Sequence, residues 1–445
     1  MPVERPTRRH SAADGDQRSE FQRDRDRVLY STSFRRLDGV TQIVRAGEAD
    51  VFHNRLTHSI KVAQVGRRLA EYCIREQKDA AEFHGLDVEV VEAACLAHDL
   101  GHPPFGHIGE ETLDDILTRP NGQDPCLDPE GFEGNAQSFR IVTKLAIRFP
   151  QCEGLDLTRA TLAALLKYPW ARDNTEAGKA AGKSKKWGYY ISEKDDFDFC
   201  RAGHEPDQRT LEAELMDWAD DIAYSVHDLE DFHRCNAIPW SRIIGTDAPD
   251  AEKIIDNSLK KWHGAPTNAK GRLRDAHRRL TGLFEGFRAT ILSGAYEGTH
   301  QQRLAIRSLT STLIGRYIRE TKLVEPKDYS PGQSRVSLDQ IYEDEVKLLK
   351  QIARDYILSS PSLAAQQLGQ RRILESLFAD FLGEIEDKKP RVLPRRFHHL
   401  VEDNGLSPAR IASDCVASLT EGEAIAMHQR LTGISSGSVL DPIVR

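Results

Sequence analysis

The sequence predicts a mainly α fold. Apolar residues recur at helical intervals along most of the chain, convincing strand alternation is almost absent, and no internal repeat is present. From Leu56 to about Glu76 the apolar positions are Ile60, Ala63, Val65, Leu69, Cys73 and Ile74, which is helix spacing. A second helix is expected from Val88 to Leu100, where Gly101 and then Pro103 and Pro104 stop it. A third is expected from Leu211 to Phe232, with Leu211, Leu215, Trp218, Ile222, Val226 and Leu229 on one stripe. Ala171 to Lys186 is small, polar and lysine-rich and reads as an exposed loop. A break rich in Pro and Gly spans Ile238 to Gly271, and helical patterns resume near Ala276 to Tyr296, Arg303 to Leu323, Leu338 to Leu358 and Leu363 to Leu382. Ser337 is the expected N-cap of the third of these.

Composition excludes several classes. The net charge of −8 with 29% charged residues argues against a surface built wholly to grip nucleic acid, so an anionic ligand must meet local positive charge. Seven cysteines, without a C-x-x-C pair and odd in number, suggest neither a disulfide framework nor a zinc ribbon. No apolar run approaches the roughly 18 residues of a membrane span, and the first residues lack a signal-peptide core. A cytoplasmic protein without a membrane partner is expected. Residues 1 to about 20 are polar and read as a mobile arm or an oligomer contact.

His98 and Asp99 offer an imidazole and a carboxylate side by side, a ligand pair suited to Mn, Fe, Co, Ni, Zn or Mg. The dipeptide is common, and taken alone it is better explained as a surface pair at a helix C-terminus, where a cation is favoured. His98 shares a face with Val91, Ala94 and Cys95, and His58 with Val62, Val65 and Leu69, so both point inward, as ligands or as satisfied core histidines. Asp220, Tyr224 and Asp228 recur every four residues on one helix face. That stripe is a pocket wall or, with Asp217, Asp221, Glu230 and Asp231 nearby, a solvated acidic face; spacing does not separate the two. The run GHPPFGHIGEE adds His102, His107 and Glu110 directly after the His98-Asp99 pair. Imidazoles beside a metal suit phosphoryl chemistry, because a departing alkoxide needs a proton from a group titrating near neutrality. Glu110 can orient His107, and Arg55, one turn before His58, presents a planar fork that matches phosphate oxygens. The segment GKAAGKS (178 to 184) imitates a P-loop, but it is one residue short and no apolar strand precedes it.

These residues resemble the HD-superfamily deoxynucleoside triphosphate triphosphohydrolases, the bacterial dGTPase-like enzymes. The resemblance runs through FQRDRDRVLYSTSFRRLDGVTQI (21 to 43), HNRLTHSIKVAQVGR (53 to 67), AHDLGHPPFGHIGEE (97 to 111) and FEGNAQSFRI (132 to 141). It continues through LLKYPW (165 to 170), KKWGYY (185 to 190), WADDIAYSVHDLEDF (218 to 232), LAAQQLGQRRIL (363 to 374) and DCVASLTEGEAIAMHQRL (414 to 431).

The resemblance implies an HD-domain helical fold with additional C-terminal helices, and hydrolysis of a dNTP to deoxynucleoside and inorganic tripolyphosphate. It implies a metal-dependent core over 21–237 and a C-terminal helical region over 238–445 that packs on it and takes part in oligomer contacts. It implies His58, His98, Asp99 and Asp220 as ligands of a divalent metal (Mn, Mg, Co, Fe or Ni), with Asp220 favoured over Asp221 by the Asp-x3-Tyr-x3-Asp pattern. His107 with Glu110 becomes the acid/base pair, His102 and Arg55 phosphate contacts, and Gln42, Tyr224 and Asp228 sugar contacts. Lys167, Tyr168 and Lys186 match further phosphate or sugar ligands. A homo-oligomer, often a hexamer, is implied as well, while the lysine-rich loop and the arginine-rich N-terminus leave a single-stranded DNA or nucleotide effector open. The chain departs from the commoner pattern at Leu419-Thr420-Glu421-Gly422, where relatives carry an Asp-Arg pair, and at Val40, where they carry lysine. The rival readings are an HD phosphohydrolase acting on nucleoside monophosphates or guanosine polyphosphates, and a nucleotide- or single-strand-binding regulator with a vestigial site.

Overall fold

A computed structural model describes residues 4–10, 17–42, 53–120, 126–245, 248–262, 264–292, 294–357, 361–402 and 405–437. Much of the expected N-terminal arm (1–3 and 11–16) and the expected helix end at Leu358 lie outside the described residues. The fold is mainly α: helices fill most of the described chain, and the one sheet among the described residues has two three-residue strands. None of the described helices is long and apolar enough to cross a membrane.

The chain divides into two compact units, each discontinuous in sequence. The first comprises Met1–Ile60, Ala93–Ala213 and Ala365–Arg445. Its core joins Phe105, Leu113, Leu117 and Phe132 to Leu377, Phe381, Ile411, Cys415, Val416 and Leu419 of the C-terminal helices. Two buried ion networks reinforce that junction. Arg140 bonds Asp414 through Nε and Nη2 and Glu193 through Nη1, and Arg410 bonds Asp128 and the Gly131 carbonyl. Residues 4–10 are tied to the same unit: Arg8 donates to Glu20 and Asp24, and Arg9 to Asp196.

The second unit comprises Lys61–Glu92 and Glu214–Ala364. Helices Ala251–Lys261, Ala269–Glu285 and Gln340–Ile357 pack together in it, with Glu345 fully buried between Arg279 and Arg316. Three expectations change here. Helix Ala251–Lys261 occupies the expected break, because Ile254, Ile255 and Ser258 give it a buried face while Pro and Gly flank it. Thr321–Leu323, expected to end a helix, is a strand paired antiparallel with Val336–Leu338; the helix stops at Arg319. Ser337 therefore lies in a strand, and the cap of the next helix is Asp339, whose side chain accepts the Ile341 N–H. In the first unit, the expected loop 171–186 contains the short helix Glu176–Ala180, begun by Thr175 accepting from the Gly178 N–H.

Candidate active site

Helix Arg55–Glu76 begins at Asn54, whose side chain accepts the Thr57 N–H, and this start places Arg55 and His58 one turn apart. Both are buried. Helix Val88–Ala97 ends before His98, not at Leu100 as its sequence suggests, so His98 and Asp99 stand in the turn beyond it. That turn is tied to helix Gly134–Arg140: the Gly101 N–H donates to Ser138 Oγ at 2.8 Å, and the Ser138 hydroxyl donates to the His98 carbonyl at 2.9 Å. Gly101 is required, because a Cβ there would lie 2.1 Å from the Gly134 carbonyl oxygen.

One donor atom each from His58, His98 and Asp99 falls within a common 4.8 Å, and all three residues are buried. His98 Nδ1 lies 2.6 Å from the Cys95 carbonyl oxygen. Only a donating N–H satisfies a carbonyl, so Nε2 is left as the acceptor nitrogen, the form a metal-binding imidazole needs. Two imidazoles and a carboxylate with fixed orientation fit a divalent cation. Burial would raise the Asp99 carboxyl, but Arg55, helped by His102 and His98, outweighs it and holds Asp99 well below the usual carboxylate range.

Arg55 Nη1 donates to Asp99 Oδ2 at 2.6 Å. Its Nε and Nη2 are buried and have no hydrogen-bond partner among the described residues, and the same holds for Thr41 Oγ1 and Gln42 Oε1. Thr41 pairs with Asn54 beside Arg55, and a Cβ on Gly106 would lie 3.2 Å from Arg55 Nη2. Desolvated polar groups without partners are costly. A guanidinium with its outer edge unengaged has the chemistry to seat an oxyanion.

The chain then runs through His102, Pro103 and Pro104 and reverses at Phe105 and Gly106, both at positive φ (67° and 57°), before helix His107–Thr118 begins. The helix start brings His107 Nδ1 to 2.7 Å from Glu110 Oε2. Glu110 Oε1 accepts the Gly134 N–H at 2.8 Å, at the start of helix Gly134–Arg140. Burial opposes charge on Glu110, yet Lys186, His102 and His107 together keep its carboxyl well below the usual range. His102 Nδ1 lies 3.0 Å from Asp99 Oδ1. Burial, followed by Arg55, pushes the His102 imidazole below its ordinary value against the pull of Asp99 and Glu110. The His107 side chain is 69% exposed while Glu110 is buried, so the dyad presents its imidazole outward. His102, His107 and Glu110 also lie close enough to hold a metal. Their mutual hydrogen bond and the Gly134 contact suit a proton-handling group better.

Lys186 Nζ donates to Glu133 Oε1 at 2.7 Å and lies 3.9 Å from Glu110 Oε1. Against its partial burial, these two carboxylates raise its pKa, so it stays charged. Lys167 and Tyr168 follow helix Arg159–Leu165; Tyr168 meets Trp170 edge-on at 5.7 Å, and the Trp170 indole donates to the Lys186 carbonyl. Glu133 escaped sequence reasoning, although an acid directly before a helix start was a readable signal: its carboxylate accepts the Asn135 and Ala136 N–H groups.

Asp220, Tyr224 and Asp228 belong to the second unit. Asp217, Asp220 and Asp221 cluster at partly exposed positions, and Asp221 pairs with Lys350 at 2.6 Å. The expected continuous helix Leu211 to Phe232 is interrupted by a π-helical segment, Tyr224–Asp228, so the even four-residue stripe does not persist through it. Asp228, Glu230 and Asp231 are buried, which removes them from any solvated acidic face.

Residues 55–225 match the HD domain and residues 336–430 the phosphohydrolase-associated domain. The chain is 34% identical over 430 residues to a deoxyguanosinetriphosphate triphosphohydrolase-like protein of Streptomyces coelicolor, covering 94% of this chain and 93% of the relative. It is 32% identical to the like-named protein of Bifidobacterium longum (93% and 83% covered) and 33% identical to that of Corynebacterium diphtheriae (97% and 96%).

Proposed function

Because the chain belongs to the deoxyguanosinetriphosphate triphosphohydrolase-like proteins, a family of HD-domain phosphohydrolases, we propose that it hydrolyses a deoxynucleoside triphosphate to deoxynucleoside and inorganic tripolyphosphate. The observation that carries this reading is the buried Arg55 fork. One nitrogen is anchored on Asp99, and the opposite edge has no partner among the described residues, beside a cluster of His and Asp suited to a metal.

His58, His98 and Asp99 would hold the divalent cation, and the resemblance alone would add Asp220. When bound, such a cation neutralises phosphate oxygens and acidifies water. Arg55 grips the phosphates with its outer edge, and Lys186 adds charge beside Glu110. Water adds to the α-phosphorus as the bond to the 5′-oxygen breaks. Glu110 accepts the Nδ1–H hydrogen bond of His107 and supports its imidazolium form, whose Nε2 proton passes to the departing 5′-oxygen, while the proton lost by the attacking water goes to solvent. His102 contacts phosphate. Gln42, with its carbonyl oxygen unpartnered among the described residues, contacts the sugar. Lys167, Tyr168, Tyr224 and Asp228 are assigned substrate contacts on the resemblance alone. A homo-oligomer rests on the same ground, a nucleotide or single-strand effector on the lysine-rich loop and arginine-rich N-terminus, and a cytoplasmic setting on composition.

Product analysis tests the reading. Purified protein with each dNTP and with Mn, Mg or Co should release intact tripolyphosphate, seen by phosphorus NMR. Release of orthophosphate or pyrophosphate from every substrate, or hydrolysis of nucleoside monophosphates in preference, overturns it.

A further inference from the structure

The turn Leu419–Glu421 lies far along the chain from the His98–Glu110 segment, in the region that matches the phosphohydrolase-associated domain. It nevertheless meets that segment directly at Phe105 and, through Arg36, at Leu100 and His102, and it also meets residues 39–41. Glu421 is buried, and its Oε1 accepts two backbone N–H groups, Thr41 at 2.8 Å and Phe105 at 3.2 Å. Arg36 donates to the Leu419, Leu100 and His102 carbonyls. Gly39 approaches Thr420 so closely that a Cβ would lie 2.7 Å from the Thr420 Cβ.

The Phe105 bond matters most, because Phe105 holds φ at 67°. A non-glycine residue in the left-handed region is strained and persists only when its surroundings fix it. The next residue but one is His107, so the Phe105–Gly106 reversal sets where that imidazole stands. On its other side Glu421 fixes Thr41, whose carbonyl oxygen would lie 3.3 Å from a Cβ on Gly106, the residue that also faces Arg55. One carboxylate oxygen thus spans the phosphate-binding and the proton-handling parts of the site.

We propose that Glu421 is a positioning residue: it holds the strained Phe105–Gly106 turn, and through it His107, in register with Arg55. The role rests on the triphosphohydrolase reading for its consequence, but the clamp itself is a property of the fold. It gives the C-terminal region a part in the reaction without any contact with substrate.

The test uses the full chain as wild type, E421A, E421Q and E423A. Glu423 accepts the Thr420 N–H at the same helix start and has no hydrogen bond to Thr41 or Phe105 among the described residues, so E423A reports loosening of the helix start and of the charge facing Arg36, with the Glu421 bonds in place. Metal content, kcat, KM and amide hydrogen exchange of the 103–111 peptide are measured for each. E421A should keep its metal and its KM, lose about 100-fold in kcat, as a misplacement near 1 Å does, and exchange the Phe105 amide faster. E421Q, whose amide oxygen can accept the same two bonds, should recover most of the loss, and E423A should retain kcat. Unchanged kcat in E421A, equal losses in E421A and E423A, or no recovery in E421Q overturns the proposal. Should the wild type turn over no dNTP, the functional reading fails while the exchange rate still decides the clamp: faster exchange in E421A supports it and unchanged exchange overturns it.

Discussion

His107 Nδ1 lies 2.7 Å from Glu110 Oε2, and the other oxygen of that carboxylate takes the Gly134 N–H. The pair therefore has a fixed tautomer and a fixed hinge. His107→Ala should leave bound metal unchanged and slow hydrolysis by about 10²–10⁴-fold, the range for losing a general acid. Metal analysis beside single-turnover rates checks it; an unchanged rate with intact metal reassigns the residue.

His98 and Asp99 supply two of the three buried donors of the proposed cation site. The H98A/D99A double variant should lose both metal and turnover while keeping its helical circular dichroism. Full activity in that variant removes the metal scheme altogether.

Arg55→Lys keeps the charge but not the fork. With Asp99 anchoring one side, the shorter donor set cannot also reach phosphate, so kcat/KM should fall by about 100-fold, the usual scale for losing one well-placed donor. A loss confined to metal content, with kcat/KM restored by excess metal, points instead to Arg55 acting through Asp99.

His233, buried in the second unit, accepts the Trp240 indole N–H at Nδ1 (3.1 Å), and burial, with Arg234, lowers its pKa from 6.5 to about 4. The unfolded imidazole takes up a proton below about 6.5, whereas the folded one stays neutral down to about 4. Stability is thus full above the unfolded pKa, falls as pH drops through that window, and levels below the folded pKa, by up to about 3 kcal/mol in all. Comparing thermal unfolding at pH 7 and pH 5 checks this. His233→Gln, which can accept the indole N–H without titrating, should shrink the difference, and an undiminished difference assigns it elsewhere.

Asp414 sits fully buried against Arg140 and Gln137. Asp414→Ala leaves a buried guanidinium short of a partner and should destabilise the first unit by about 3–5 kcal/mol, read from urea unfolding followed by protease susceptibility. A change under about 1 kcal/mol would show that the network contributes little, as exposed pairs do.

Helix Arg55–Glu76 and the segment around His98 were readable because local periodicity and a Gly-Pro stop encode them. The π-helical segment Tyr224–Asp228 was not, since widening one turn leaves the apolar spacing almost intact. Strands Thr321–Leu323 and Val336–Leu338 are too short to alternate visibly and exist by pairing with each other. Ala251–Lys261 was hidden because composition does not tell a proline that flanks a helix from one that breaks it. Within the site, Glu110 was legible from its i, i+3 distance to His107. Arg36 and Glu421 were not, because the carbonyls and N–H groups they bind are distant in sequence and carry no side-chain signature.

The contact between Gly101 and Gly134 leaves no room for a methyl group on the first and, with Glu110 Oε1 only 2.4 Å from a Cβ, none on the second. Drift at these two positions is closed for as long as the His-Asp turn keeps its shape. A relative that retains every histidine and aspartate of the site yet carries alanine or serine at either glycine is expected to be a degenerate copy, and its genome sequence alone would reveal it.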